Sequence, residues 1–252
     1  MAASARSRKP GRSATGRRRT SGGRGWIPMP HAPFSRAWML PPGGGIQIPS
    51  GEAGRQFLAT LDVTVPPRLC GRENWHRERY CIVALLRHLV QHRPGLFPAS
   101  LERRSMPDFV LRPAAASNVI GIEHTDASSG AIQRKLDEGV WSESWPGRKP
   151  IALGTWIGDA AERQLQQDIL AAVRRKAAKT WCDAPPGAEH WLLLYESIDN
   201  GLFVSDCDAT GILQTALTRS VEESGHLDAI ALVRDDPDRV LFVSSKPAGA
   251  SS

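Results

Sequence analysis

Five consecutive apolar residues, Trp191 to Tyr195, constrain this chain more than any other feature. Successive side chains of a strand point to opposite faces, so an unbroken apolar run of strand length must be buried on both. The run predicts a central strand in a sheet covered on each side.

The surrounding pattern supplies the covering layers. Trp75, Arg79, Ile82, Val83, Leu86, Leu89 and Val90 follow the spacing of one helical face and predict a helix from about Arg72 to Gln91, ended by Pro94 and Gly95. After a basic link with Arg103 and Arg104, the apolar runs Phe109–Leu111 and Val119–Ile122 flank the small residues of 113–118 and predict a β-hairpin. A short helix over Ala131–Glu138, a loop over 141–150, a long helix from Asp159 to Trp181 and another from Ala209 to Glu223 follow. Ala229–Val233 and Val240–Ser244, separated by Asp235, Asp236, Pro237 and Asp238, predict a closing hairpin. The fold class is therefore α/β (α+β), a mixed β-sheet flanked by helices, with no internal repeat.

The formal charge of +6 suggests nucleic acid only until its distribution is considered. Residues 1–51 hold nine Arg or Lys and no acid, whereas the remaining 201 residues hold 23 basic and 26 acidic side chains. The basic balance belongs to an Arg-, Ser-, Gly- and Pro-rich segment, read as a disordered basic tail, with a single domain over 52–252. That tail is either a solvated leader, with Met29 and Met39 as later starts, or an arm for nucleic-acid phosphates. It also has the acid-poor, Arg/Ser-rich character of an organelle transit peptide. The longest apolar runs, Tyr80–Leu86 and Trp191–Tyr195, are too short to span a bilayer, so no membrane partner is expected. Cys70, Cys81, Cys182 and Cys207 form no CxxC pair and follow no secretory leader, which points to free thiols and a cytoplasmic location.

The residues that could carry chemistry are Asp108 and Glu123. A hairpin symmetrical about Ala115 and Ala116 opposes these two positions, with Cβ atoms about 5 Å apart on one face. Carboxylates that close either share a proton or bind a divalent cation, and hard oxygen ligands suit Mg²⁺, with Mn²⁺ as a substitute. Such an ion can activate a water for attack on a phosphodiester.

The segments Met106-Pro107-Asp108-Phe109-Val110 and Gly121-Ile122-Glu123-His124-Thr125 resemble the core of the PD-(D/E)XK nuclease superfamily, the restriction-endonuclease-like fold. The order of helix, acid-bearing hairpin, helix and strand over residues 72–200 is similar too. The resemblance implies a Mg²⁺-dependent nuclease that hydrolyses phosphodiesters, with DNA as the expected partner and a homodimer as one possible assembly. It departs from the family pattern at Thr125, where the family carries a lysine.

Some members of that superfamily move the lysine onto the following helix. Here Glu162, Gln166, Ile169, Val173, Lys176 and Thr180 share one helical face, so the role is carried to Lys176, with Lys179 and Lys135 as substitutes. The plain alternative is a lysine snorkelling from a helix edge. By the same resemblance Glu78, or Glu73, would add an acid to the metal, against a solvated helix charge. His124 alternates to the opposite face and is assigned to packing, whereas Thr125 shares the Glu123 face.

Other constellations are weaker. His88 and His92 stand at i, i+4 without a third zinc ligand and are read as surface residues near a helix end. Trp141, Trp145 and Trp156 either stack on bases or pack at a sheet edge. Two readings from other classes stay open: a catalytically inactive nuclease-fold protein acting as a nucleic-acid-binding or protein-interaction module, favoured if an arginine such as Arg112 satisfies the acids, and an α/β protein without any nucleic-acid role.

Overall fold

Among the described residues of the computed structural model, the sheet has seven strands in sequential order, and four helices flank it. The residues described are 44–65, 73–115, 118–127, 159–177, 184–196, 204–223, 227–234 and 239–245. In chain order the elements are β1 (Gly45–Ile48), α1 (Gly51–Ala59), α2 (Asn74–His92), β2 (Ala99–Arg103), β3 (Phe109–Pro113), β4 (Ile120–Asp126), α3 (Ala160–Ala177), β5 (Glu189–Tyr195), α4 (Asp206–Glu223), β6 (Ala229–Val233) and β7 (Val240–Ser244). A single 3₁₀ turn, Pro94–Leu96, follows α2. Strands β1 to β4 pair antiparallel, β4, β5 and β6 run parallel, and β7 returns antiparallel. The sheet is mixed because the parallel pairs β4–β5 and β5–β6 are joined through helical segments, whereas the antiparallel pairs β3–β4 and β6–β7 are joined by short connections.

The apolar run of β5 divides its side chains between two cores. Trp191, Leu193 and Tyr195 pack with residues of α1 and α2, including Leu58, Ile82, Leu86 and Leu89. Leu192 and Leu194 pack on the other face with Leu165, Ile169 and Val173 of α3 and Leu213 and Leu217 of α4. Strand β6 alternates likewise, with Ala231 and Val233 in the first core and Ile230 and Leu232 in the second. Full burial of one such leucine contributes about 2 kcal/mol, so the double coverage dominates the favourable side of folding.

Helix α2 departs from the one-faced helix expected. Tyr80 to Leu86 are buried without interruption, because α2 lies between the sheet and α1. The entry to α1 is tight at Gly54, where a Cβ would sit 2.3 Å from the Pro49 carbonyl oxygen. The buried Arg79 guanidinium donates to the Thr64 carbonyl at 2.8 Å and faces Asp62 at 3.4 Å.

Two strands correct the sequence reading. Strand β1 lies inside the 1–51 segment assigned to the tail, so ordered structure begins before residue 52. It is short, and only Ile48 is fully buried, which leaves too little alternation to stand out beside glycine and proline. Strand β2 occupies the basic link, where Leu101 is buried while Glu102 and Arg103 are half-buried. The expected helix Ala131–Glu138, the 141–150 loop and the three tryptophans 141, 145 and 156 lie outside the described residues. No helix among the described residues is long and apolar enough to cross a membrane.

Candidate functional site

The β3–β4 hairpin has the register that symmetry about its small-residue turn predicts. Phe109 pairs with Ile122, Val110 with Gly121 and Leu111 with Ile120. Continued by one step, that register sets Asp108 opposite Glu123 at the mouth of the hairpin. Asp108 is fixed from both sides: its carbonyl accepts the Arg104 amide at 2.9 Å, and its Oδ2 accepts the His124 amide at 2.8 Å.

Glu123 belongs to the face covered by α3, since Leu192, its partner across the β4–β5 ladder, lies in the α3/α4 core. Lys176, in the last turn of α3, reaches down to it, and its Nζ donates to Glu123 Oε1 at 2.5 Å. The two side chains are 11% and 6% exposed, so the pair is largely withdrawn from water. This placement accounts for a lysine where the helical face would otherwise carry an apolar residue. Lys135 and Lys179 lie outside the described residues.

Electrostatics bind Asp108 to the same cluster. Burial, then the charge of Glu123, pushes its carboxyl up to about 6, with a smaller push from Glu78. The His124 amide and the Lys176 ammonium pull in the opposite direction. Glu78, on α2, is engaged by Arg103 of β2, whose Nη2 donates to its Oε2 at 3.0 Å. Glu73 is occupied differently: it is the N-cap of α2, in a reciprocal box with His76, and its Oε2 accepts the Trp75 indole N–H at 2.5 Å.

The next residues of β4 alternate as the strand requires. Thr125, on the Glu123 face, accepts Arg175 Nη2 at 3.0 Å through its Oγ1. Asp126 receives Arg77 of α2, which also donates to Asn74 Oδ1 at 3.0 Å. Burial, reinforced by Arg77 and Lys176, presses the His124 imidazole down to about 3, which keeps it neutral. Arg112 does not reach the acids; it faces Glu102 at 3.7 Å, and Arg104 shares that carboxylate at 2.8 Å.

Of the two histidines expected at the surface, His92 is exposed and His88 is half-buried. Their rings lie 4.5 Å apart, and His88 turns inward toward Phe242, 6.2 Å away. Among the described residues Cys81 is buried and Cys207 is exposed.

The sequence reading missed Arg175. It stands next to Lys176, and only the packing of α3 on β4 reveals that it meets Thr125.

The chemistry of the donor set suits a hard divalent cation. Asp108 lies near enough to Glu123 for that charge to raise its carboxyl, Lys176 is bonded to Glu123, and Asp108 has no cationic partner at hydrogen-bond distance among the described residues. Like charges held this way favour a counter-ion between them. Asp108 and Glu123 are therefore the residues that would hold it, and no group of three or more His, Cys, Asp or Glu able to hold a metal occurs among the described residues. Comparison of the chain with protein-family models, curated proteins and solved structures gives no match.

Proposed function

We propose that this chain is a Mg²⁺-dependent phosphodiester hydrolase acting on DNA, a divergent PD-(D/E)XK nuclease with a restriction-endonuclease-like fold whose lysine comes from helix α3. The observation that carries the reading is the Lys176 ammonium on Glu123, across the hairpin from Asp108. The order α2, β3–β4 hairpin, α3, β5 supports it, as it is the order the family resemblance calls for.

The carboxylates of Asp108 and Glu123 would hold the cation, which supplies Lewis-acid charge to the phosphate and makes a bound water acidic enough to act as nucleophile. Glu123, already paired with Lys176, would share its carboxylate with the cation. Lys176 has three donors and gives one to Glu123, so it can also face negative charge developing on the phosphate. The His124 amide holds Asp108 in position throughout. The Glu78–Arg103 pair closes the α2 side, which makes Glu78 a neighbour of the metal pair before it is a ligand.

The test is cleavage of plasmid and single-stranded DNA with Mg²⁺ or Mn²⁺, comparing the intact chain with Asp108→Asn and Glu123→Gln. Metal-dependent cleavage abolished by both substitutions supports the reading. If neither substrate is cleaved by a folded protein, the inactive nuclease-fold module takes its place.

A further inference from the structure

The basic side chains around the hairpin differ in what neutralises them. Arg77 is matched by Asp126, Arg103 by Glu78, Arg104 and Arg112 by Glu102, and Lys176 by Glu123. Arg175 is the exception in this set: its Nη2 rests on two neutral oxygens, Thr125 Oγ1 at 3.0 Å and the Asp126 carbonyl at 3.4 Å. No carboxylate meets it among the described residues, and it is exposed. The guanidinium is thus held by the strand at Nη2, on a residue that is exposed.

Position gives this charge a use. Thr125 lies two residues beyond Glu123 on the same face, about 6.6 Å along the strand. An anion there sits beside the carboxylate pair and not between its members. A planar fork held at one nitrogen and open at the others suits a phosphate, which it can meet with two donors.

We propose that Arg175 binds the backbone phosphate next to the one presented to Asp108 and Glu123, and so sets the register of a DNA strand across the site. The inference rests on the nuclease reading for the identity of the polymer. A neutral perch on Thr125 and a backbone carbonyl leaves the full guanidinium charge for that phosphate. Had Thr125 been a carboxylate, the charge would have been spent within the protein.

The experiment measures binding of a short DNA by the full chain in Ca²⁺, for wild type, Arg175→Ala and Arg175→Lys. Arg175→Ala should weaken binding about tenfold, the effect of one charge-assisted contact. The slope of log affinity against log salt should fall by about 0.9 for the lost phosphate contact, and Arg175→Lys should keep it. Replacing the phosphates one at a time by neutral methylphosphonates should reveal one whose loss weakens wild type but leaves Arg175→Ala unaffected. Equal affinity and equal slope in Arg175→Ala would overturn the proposal. Metal-dependent cleavage is scored separately: cleavage without any Arg175 effect removes this phosphate site and leaves the nuclease reading, whereas Arg175-dependent binding without cleavage does the reverse. Failure of wild type to bind DNA overturns both.

Discussion

Lys176 and Glu123 show how much one side-chain pair can be asked to do. Each is nearly withdrawn from water, so each charge depends on the other for its stability. Breaking a buried pair by removing one partner costs about 3 to 5 kcal/mol, because the remaining charge stays desolvated. Lys176→Met should therefore lower stability to urea by an amount near the lower end of that range, given residual exposure. Adding Glu123→Gln should return much of the loss, since a neutral amide tolerates burial better. A double-mutant cycle by urea unfolding measures the coupling, and simple additivity would show the pair to be independent. Lys176 was legible in the sequence because a cation interrupts the apolar series Ile169, Val173 on one helical face. Arg175 was not, since nothing in the helical period says which strand residue an exposed arginine will meet.

At the scale of elements, α2 and β7 make a contact with a pH signature. His88 is turned toward Phe242, and burial, followed by the charges of His92 and Arg93, holds its imidazole down to about 4 from an ordinary 6.5. Between those two values the unfolded chain takes up a proton that the folded chain refuses. The unfolded state then binds more protons, so stability falls as pH falls from 6.5 towards 4, and the loss from this group is complete below that. Urea midpoints at pH 7 and pH 4.5 should drop further in wild type than in His88→Gln; equal drops would show that His88 does not titrate in this window. The hairpin register was legible for a related reason of local chemistry, since Phe109–Leu111 and Ile120–Ile122 place the turn symmetrically between them. Strands β1 and β2 were not, because a short edge strand and a strand carrying Glu102 and Arg103 have little apolar signal of their own. Both are fixed by the ladder partners they find.

For the whole molecule, a buried arginine links elements at one end of the parallel strands. Arg234, 1% exposed at the end of β6, meets Glu196 beyond β5 at 2.7 Å and Asp206 at the start of α4 at 2.5 Å. Its Nη2 donates to the Val204 carbonyl at 2.9 Å, and its own carbonyl accepts the Tyr80 hydroxyl of α2 at 3.2 Å. One residue thus joins the α2 layer, the sheet and α4. Arg234→Leu leaves Glu196 as a buried carboxylate and should cost about 3 to 5 kcal/mol, read as a lowered urea midpoint. A change below about 1 kcal/mol would show that the link is decorative. The layered architecture itself was legible from Trp191–Tyr195, because no single-sided sheet could accept that run. The ion cluster was not, since Glu196, Asp206 and Arg234 are far apart in sequence and follow no period.

The proposed nuclease depends on Lys176 of α3 supplying the positive group that β4 does not carry. The most direct measurement is the single-turnover rate of Mg²⁺-dependent DNA cleavage for wild type, Lys176→Met and the double variant Lys176→Met with Thr125→Lys. Lys176→Met should slow cleavage by about 10²-fold or more, the scale of losing one charge-stabilising donor. The lysine restored on β4, on the face that Glu123 shares, should recover part of that rate. Cleavage by Lys176→Met at the wild-type rate would contradict the account.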